Sequence, residues 1–464
     1  MEIGKVAVRW LMVLGVATSS TSWAAESVDG AKCVGIVPDL TVDRVWGASR
    51  VKFDSLEDQK FVYISYYDAD RWLSVAQIDK CTGTLRKQRV GSRFVGWDAH
   101  NSIVMALDKS NRLHVSGNMH ASPLVYARMD APDNLAGLGA VRPMVGEDEA
   151  QATYPYFFRF MDGALGFSYR SGHSGDGVEF INRLEGARWI RWTNQPVFAP
   201  VSEKKPVNAY HTNYMRGPDG FFHVAWVWRE NYFVETNFNV NYAKSRDLRT
   251  WENSGGEVIP LPITPKTAEV VDRIPEKSGL LNNIKLGFDQ AGRPVISYLK
   301  FDSTGASQLF HARLVDGRWK STPATQWTYR WDPRGGGTIK GEINFSGVRV
   351  SNGRLIEQVS QPEIGAKTLV YDDGSMKETA ALASDVWGAA PAIKNVHVPM
   401  GAVSNVQNVR LENFATGGFG DGHVISWFSL PADNRDKPRN CNNPDVPCDF
   451  TSELILHTTR KPSR

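Results

Sequence analysis

The 464-residue chain has little net charge and no long apolar run. Its formal net charge of +3 argues against a nucleic-acid-binding protein, because such proteins carry a strong basic cluster. No segment is apolar over the length that a bilayer requires, so we expect no membrane partner. The 42% of hydrophobic and 22% of charged residues are typical of an ordinary globular protein.

The chain also lacks the patterns of helical proteins and of several enzyme classes. Outside the N-terminal segment we find no convincing 3.6-residue periodicity of apolar positions. There is no Gly-x-Ser-x-Gly motif of the serine hydrolases and no phosphate-binding loop. These absences leave an all-β protein whose chemistry must come from other side chains.

The first 24 residues have the pattern of a secretory signal peptide. Lys5 and Arg9 precede the short apolar run WLMVLGVA, and Ser22 and Ala24 supply small residues for cleavage. We expect a mature chain that begins near Ala25 and is secreted or periplasmic.

Only four cysteines are present, and in an oxidising compartment we expect them to pair. Cys441 and Cys448 are close enough for a local bridge, which would leave Cys33 for Cys81. Four cysteines allow three pairings, and buried free thiols are the alternative. Their spacing does not match a zinc finger.

One pattern, a turn followed by alternating apolar positions and an aromatic residue, recurs at intervals of roughly 50 to 70 residues. Alternation of this kind is typical of half-buried antiparallel strands. The seven copies are centred near Glu57, Ser110, Gly163, Gly220, Gly292, Gly353 and Gly422. Repeats of this length predict a single all-β domain over residues 25–464, a seven-bladed β-propeller. A pair of β-sandwiches or a β-helix is the alternative.

Reflection of each hairpin about its turn predicts which residues face each other near the open end. The predicted pairs are His100 with His120, Tyr154 with Arg170, His211 with Arg229, and Asn282 with Lys300. Because these pairs lie at one level of neighbouring blades, we expect the strand ends to converge on a cleft at the propeller axis. Taken singly, each residue also fits a surface cap or a structural hydrogen bond.

Histidine, tyrosine and arginine in one cleft suit β-elimination on a uronic acid. An arginine paired with the uronate carboxylate stabilises the charge that develops when the C5 proton leaves. A histidine or a tyrosinate can remove that proton, and the other group can protonate the leaving oxygen at C4. The set contains no obvious carboxylate pair, which disfavours ordinary glycoside hydrolysis.

At these residues the sequence resembles a known family. The segments WDAHN, RLHVSGNMH, TYP, SYRSG, VWRE and NYAKSRDLRTW resemble the BNR-type seven-bladed propellers that include the ulvan lyases. The resemblance extends over roughly Val51 to Lys300. Within it, SRDLRTW resembles the Asp-box turn of sialidase-like propellers, with Arg249 where glycine is usual.

The resemblance implies cleavage between a sulfated rhamnose and a uronic acid. His100 and His120 match the family's catalytic histidines, and Tyr154 and Arg170 match its tyrosine and its charge-neutralising arginine. Either His100 or Tyr154 could be the base, with the other as the acid. The candidate substrate-binding residues are Arg229, His211, Asn118 and Tyr169, although Tyr169 also fits a blade core.

The expected partner is an anionic polysaccharide, and we expect a monomer. The chemistry requires no cofactor. Some relatives hold a structural metal ion, and the resemblance allows such an ion here, although the sequence does not identify it. The segment near Asn237 lacks histidine and cysteine, so we expect no zinc site there.

Two other functions remain open. A sialidase-like hydrolase is favoured by the Asp-box but needs three clustered arginines. A non-catalytic glycan-binding propeller is favoured by the aromatic-rich loops and by the segment SGHSGDG.

Overall fold

The structure is a computed structural model that describes residues 39–200, 206–383, 410–415, 423–430, 435–443 and 447–458. These residues belong to one compact unit. The predicted signal peptide and Cys33 lie outside them, so the cleavage site and the Cys33–Cys81 bridge stay predictions. In the described part of the chain no helix is long and apolar enough to cross a membrane.

The described strands form seven antiparallel sheets, and each sheet contains one of the seven sequence repeats. The all-β, seven-bladed propeller is therefore confirmed. The first strand, β1 (Leu40–Trp46), joins the last blade, and blade 1 follows it along the chain. Blade 1 contains β2 (Asp54–Glu57), β3 (Phe61–Tyr67), β4 (Trp72–Asp79) and β5 (Leu85–Arg93).

The next three blades follow in chain order. Blade 2 contains β6 (Ile103–Leu107), β7 (Leu113–Gly117) and β8 (Tyr126–Arg128). Blade 3 contains β9 (Ala152–Arg159), β10 (Leu165–His173), β11 (Asp176–Glu185) and β12 (Arg188–Arg191). Blade 4 contains β13 (Asn208–His211), β14 (Met215–Arg216), β15 (Phe222–Arg229), β16 (Asn237–Ser245), β17 (Trp251–Glu252), β18 (Val258–Ile259) and β19 (Glu269–Asp272).

The last three blades complete the propeller. Blade 5 contains β20 (Lys285–Phe288), β21 (Pro294–Phe301), β22 (Ser307–Val315) and β23 (Arg318–Pro323). Blade 6 contains β24 (Asn344–Phe345), β25 (Arg349–Ser351), β26 (Arg354–Gln361), β27 (Gly365–Tyr371) and β28 (Glu378–Ala383). Blade 7 contains β29 (Arg410–Ala415), β30 (His423–Ser429) and β31 (Thr451–Thr458), together with β1.

The hydrophobic core lies between neighbouring blades. Each of the five buried clusters in the described residues contains side chains from at least two consecutive blades. The central strands are buried on both faces, as in β3, whose seven residues are all buried. The outer strand β5 is largely exposed, which marks the edge of its blade.

The two ends of the described chain meet in blade 7. Strand β1 pairs antiparallel with β31, from Leu40 opposite Leu456 to Trp46 opposite Thr451. Gly47 then bonds through its backbone to Phe450 and Leu430. A Cβ on Gly47 would lie 2.4 Å from a backbone oxygen of Phe428, so this approach requires glycine.

The predicted Cys441–Cys448 disulfide is present between β30 and β31. It closes a short loop, and Trp46 donates its indole N–H to the Cys448 carbonyl at 2.9 Å. The bridge therefore lies beside the pairing of β1 with β31.

The segment from Ser245 to Trp251 is a turn, as its resemblance to an Asp-box implied. The hydroxyl of Ser245 donates to the Thr250 carbonyl at 2.6 Å and accepts from the Leu248 N–H at 2.7 Å. The residue with positive φ is Leu248 (60°), and not Arg249, where the sequence comparison placed the usual glycine.

We predict that Ser245→Ala destabilises the fold, because the buried Leu248 N–H and Thr250 carbonyl lose their partner. The loss should be about 1–3 kcal/mol, measured as a lower midpoint of urea unfolding. Thr250→Ala removes an exposed hydroxyl from the same turn and should leave the midpoint nearly unchanged. Equal midpoints for wild type and Ser245→Ala would contradict this account of the turn.

Candidate active site

Loops from most of the blades converge on one cleft of about 530 Å³. Its near wall consists of the segment before β6, the segment after β7, and residues of blades 3 and 4. Its far wall consists of the segments before β20 and β24 and the segment between β30 and β31. The side chains that line it include Asp98, His100, His120, Tyr154, Ser174, Arg229, Tyr232, Asn282, Trp331, Arg435 and Asp436.

His100 and His120 lie side by side in this cleft, as the hairpin reflection predicted. The strands β6 and β7 pair Ile103 with Gly117, and the same register continued outward brings the two histidines together. Their rings are stacked, with centres 4.6 Å apart and planes inclined by 22°. Both side chains are partly exposed.

Asp98 connects the two histidines. Its Oδ1 lies 2.6 Å from the Nδ1 of His100, and its Oδ2 is hydrogen-bonded to the Nδ1 of His120. Burial alone would raise the pKa of Asp98, but the two histidine hydrogen bonds outweigh it and hold the pKa well below its usual range. Asp98 is therefore an ionised acceptor at neutral pH.

Tyr154 reaches the cleft because it lies in a β-bulge. Strands β9 and β10 pair Tyr156 with Ser168 and Thr153 with Arg170, so two residues of β9 face one of β10. Tyr154 has a φ of 56°, which is unusual for a bulky residue and is a feature often found at functional sites. The predicted pairing of Tyr154 with Arg170 was wrong by one residue, because reflection assumes a ladder without a bulge.

The hydroxyl of Tyr154 is held in its neutral form. Desolvation by the surrounding protein is the main cause that raises its pKa to about 12, although the residue is 36% exposed, and the nearby Tyr210 adds to this effect. Arg170 and Arg229 act in the opposite direction. Rings of Tyr154 and His100 are 6.0 Å apart, so the phenol and the imidazole face the same space.

Both predicted arginines are buried, but only Arg229 lines the cleft. Arg229 lines the cleft; it is bonded to Ser174 through Nη2, and its Nη1 has no hydrogen-bond partner among the described residues. Arg170 is only 2% exposed, and its guanidinium lies 4.8 Å from the centre of the Tyr154 ring. A ligand could touch Arg170 only if Tyr154 moved, so its predicted direct contact with a substrate carboxylate does not agree with this position.

Comparison with known proteins agrees with the fold and with the repeats. A profile of the BNR repeat-containing family matches residues 61–327. The chain belongs to that family. No curated protein sequence matches it.

Among solved structures, this BNR-family chain is similar to the polysaccharide lyase Uly1, with 14% identity, a TM-score of 0.54, and 92% of this chain and 100% of that chain covered. It is also similar to an ulvan lyase of polysaccharide lyase family PL25, with 12% identity, a TM-score of 0.56, and 91% and 96% covered. A third similar structure is a PL25 ulvan lyase bound to -[GlcA(1-4)Rha3S]-, with 12% identity and a TM-score of 0.57. The match covers 90% of this chain and 95% of that chain. At these identities the similarity establishes the fold alone.

Three predicted substrate-binding residues lie outside the cleft lining of this BNR-family propeller. Tyr169 is fully buried in blade 3, as its alternative assignment to the core proposed. Asn118 donates to the Ser92 hydroxyl at 2.6 Å. His211 faces Trp226 and not Arg229, because the hairpin turns about Asp219 and the ladder shifts by one residue between β13 and β14.

His211 instead belongs to a buried ion pair. Its ring stacks between Phe198 and Tyr214, and its Nε2 lies 3.1 Å from Glu179. Burial would lower the pKa of His211, but the adjacent carboxylate outweighs burial and raises it. This pair joins blades 3 and 4 and does not face the cleft.

Several residues that line the cleft or contact its lining were not predicted from the sequence. Asp98 stands two positions before His100 in WDAHN, and Ser174 lies in the tight turn between β10 and β11. Arg435 and Asp436 reach the cleft from blade 7, far beyond the region of sequence resemblance. Asn282 lines the cleft as its reflected position suggested, whereas Lys300 is paired with Asp272 at 2.6 Å.

One group of the described residues could hold a metal ion, namely Asp98, His100 and His120. Ligand atoms of a tetrahedral ion at bond lengths of about 2.0–2.1 Å lie more than about 3 Å apart. The contact of 2.6 Å between Asp98 and His100 is shorter and has hydrogen-bond length. In the arrangement described, hydrogen bonds therefore connect the three groups.

We predict that Tyr154 stays protonated through neutral pH and titrates near pH 12, well above an ordinary tyrosine. Carbon-13 NMR of labelled tyrosine, assigned with Tyr154→Phe, measures this value. Arg170→Gln should raise it further, because a positive charge beside the ring is lost. A Tyr154 that ionises near pH 10 in the wild type would contradict the desolvated phenol described here.

Proposed function

We propose that this protein is a polysaccharide lyase that cleaves a polymer of rhamnose and uronic acid, similar to ulvan, by β-elimination. The observation that carries the proposal is the set of two imidazoles, a neutral phenol and a guanidinium around one cleft. The carboxylates beside them, Asp98 and Asp436, already accept hydrogen bonds from protein groups. The structural neighbours Uly1 and the PL25 ulvan lyase are polysaccharide lyases, which is consistent with the proposal.

The reaction needs one base, one acid and one anion-binding group. The base takes the C5 proton of the uronate, and the electron pair of that C–H bond forms the C4=C5 double bond. The bond between C4 and the glycosidic oxygen breaks, and the acid gives that oxygen a proton. No water is consumed, so the new chain end is an unsaturated uronate.

The charges of the cleft support an assignment of these roles. Because the pKa of Tyr154 is raised to about 12, its hydroxyl holds a proton at neutral pH and suits the acid that protonates a strongly basic leaving alkoxide. His100 is then the base, and His120 shares its environment. The alternative with Tyr154 as the base would require a phenolate that burial disfavours.

Arg229 is the guanidinium placed to hold the uronate carboxylate. It lines the cleft with an Nη1 that has no hydrogen-bond partner among the described residues, and a charge-assisted hydrogen bond from it would strengthen as negative charge spreads from C5 to the carboxylate. Arg170, behind the Tyr154 ring, acts on that ring. Its positive charge limits the rise in the pKa of Tyr154. It also stabilises the negative charge that the phenol gains when it gives up its proton.

The far wall of the cleft suits the remainder of a sugar chain. Trp331 provides aromatic surface together with Tyr232 from the loop after β15, and Asn282 provides an amide for hydroxyl groups. Arg435 adds a second cationic residue to the lining. We assign this side to sugars that flank the cleaved bond.

We assign the activity to the periplasm or the extracellular space. The predicted signal peptide and the disulfide between Cys441 and Cys448 both support export. Peptide mapping of the natively secreted protein tests this assignment, with a mature N-terminus near Ala25 as the expected result.

We predict that the protein releases ends that absorb ultraviolet light from a uronate polymer. Ulvan, glucuronan and related polyuronides are incubated with the full-length mature protein, and absorbance of the unsaturated product is followed. Saturated sugars would identify a sialidase-like or other hydrolase instead. Binding without any product would identify a glycan-binding propeller.

We predict that Tyr154→Phe and Arg229→Ala each lower kcat on the cleaved polymer by about 10²-fold or more, because each removes a group that acts on the transition state. His100→Ala should have a similar effect. Tyr63→Phe, which removes a hydroxyl from the buried core of blade 1, is the matched control. Rates like the wild type in both Tyr154→Phe and His100→Ala would locate the chemistry elsewhere.

A further inference from the structure

We propose that Asp98 is a positioning residue that fixes the tautomers of His100 and His120, so that both rings turn an unprotonated Nε2 toward the substrate. This inference rests on the proposed lyase function for its catalytic consequence. Its structural part, the position of two protons, is independent of that function.

The geometry leaves each ring one arrangement. Both Nδ1 atoms point at the same carboxylate, one at each oxygen. An ionised carboxylate can only accept hydrogen bonds, so each Nδ1 must carry a proton. The proton on one ring nitrogen decides the state of the other, which makes Nε2 of each neutral ring an acceptor.

Asp98 is itself held in place by its loop. Its Oδ1 also accepts the backbone N–H of His100 at 2.8 Å, and its carbonyl accepts the side chain of Asn101 at 2.9 Å. The N–H of Ala99 is bonded to Asp436 from blade 7 at 3.2 Å. The carboxylate therefore has a fixed orientation before any substrate arrives.

The other acid near the pair cannot replace Asp98. The nearest oxygen of Asp436 lies 3.8 Å from the Nδ1 of His100, beyond hydrogen-bond distance. Its two oxygens accept the N–H and hydroxyl of Thr338 at 2.6 and 2.7 Å. Asp98 alone sets the protonation pattern of the two rings.

The test uses Asp98→Asn, which keeps the size of the side chain and changes its hydrogen bonding. An amide offers one oxygen and one N–H₂ group, so only one of the two rings can still donate from Nδ1. The other ring must accept at Nδ1 and carry its proton on Nε2, where it cannot act as a base.

Nitrogen-15 NMR of the histidines, assigned with His100→Gln and His120→Gln, reads these tautomers directly. At about pH 9 ordinary imidazoles are neutral, and the wild type should show both rings protonated on Nδ1. In Asp98→Asn one ring should change to the Nε2-protonated form. On a cleaved polymer kcat should fall by about 10²–10⁴-fold with KM changed less than about threefold, as expected for a wrong tautomer.

Asp219→Asn is the matched control. Asp219 pairs with His223 at 2.9 Å, but it lies near the opposite end of β15 from Arg229. At about 3.3 Å per residue that distance is roughly 20 Å. This variant should leave kcat and the signals of His100 and His120 unchanged.

A wild-type spectrum with either ring protonated on Nε2 alone would overturn the inference, even if Asp98→Asn failed to fold. Unchanged tautomers together with unchanged kcat in Asp98→Asn would overturn it as well. If the wild type cleaves no uronate polymer by elimination, the proposed function is wrong, and the NMR result still decides the positioning role of Asp98.

Discussion

The pairing of β1 with β31 is the constraint on which the rest of this protein depends. These strands lie at opposite ends of the sequence, and their ladder brings blade 7 beside blade 1. The segment before β31 carries Asp436, which bonds to Ala99 beside Asp98 and to Thr338 on the far wall. This segment of blade 7 therefore connects the loop before β6 with the segment before β24.

Histidine is used for two purposes that sequence alone does not separate. His114 and His223 follow the turns of blades 2 and 4, where each is buried and bonded to a turn aspartate and to a core tyrosine. Burial lowers the pKa of both residues. His100 and His120 lie beyond the last paired residues of their hairpin, where the rings face the cleft.

The sequence was informative where the strands are regular. The seven repeats predicted seven sheets, and reflection about Ser110 placed His100 beside His120, because β6 and β7 pair without interruption. The same reasoning failed at Tyr154, where a bulge shifts the register by one residue, and at His211, where the hairpin turns about Asp219 and the ladder shifts beyond β14. A shift of one residue turns a side chain from one face of a sheet to the other, and no local sequence pattern predicts such a shift here.

The sequence also could not predict which of the arginine side chains lines the cleft. Arg170 and Arg229 both lie in the second strand of their hairpins and against tyrosine rings, yet only Arg229 lines the cleft. The far wall comes from segments whose residues carry no shared motif, and it is assembled only by closure of the ring. Asp98 was within a quoted motif, but its role depends on two histidines that are 20 positions apart in the chain.

The central claim is that substrate binds at the propeller axis between the histidine pair and Arg229. A crystal structure of Tyr154→Phe with a tetrasaccharide of rhamnose and uronic acid tests it most directly. The account predicts the uronate carboxylate on Arg229 and its C5 atom facing the Nε2 of His100. An oligosaccharide bound elsewhere, such as the surface pocket beside Trp327, with the axial cleft empty, would contradict it.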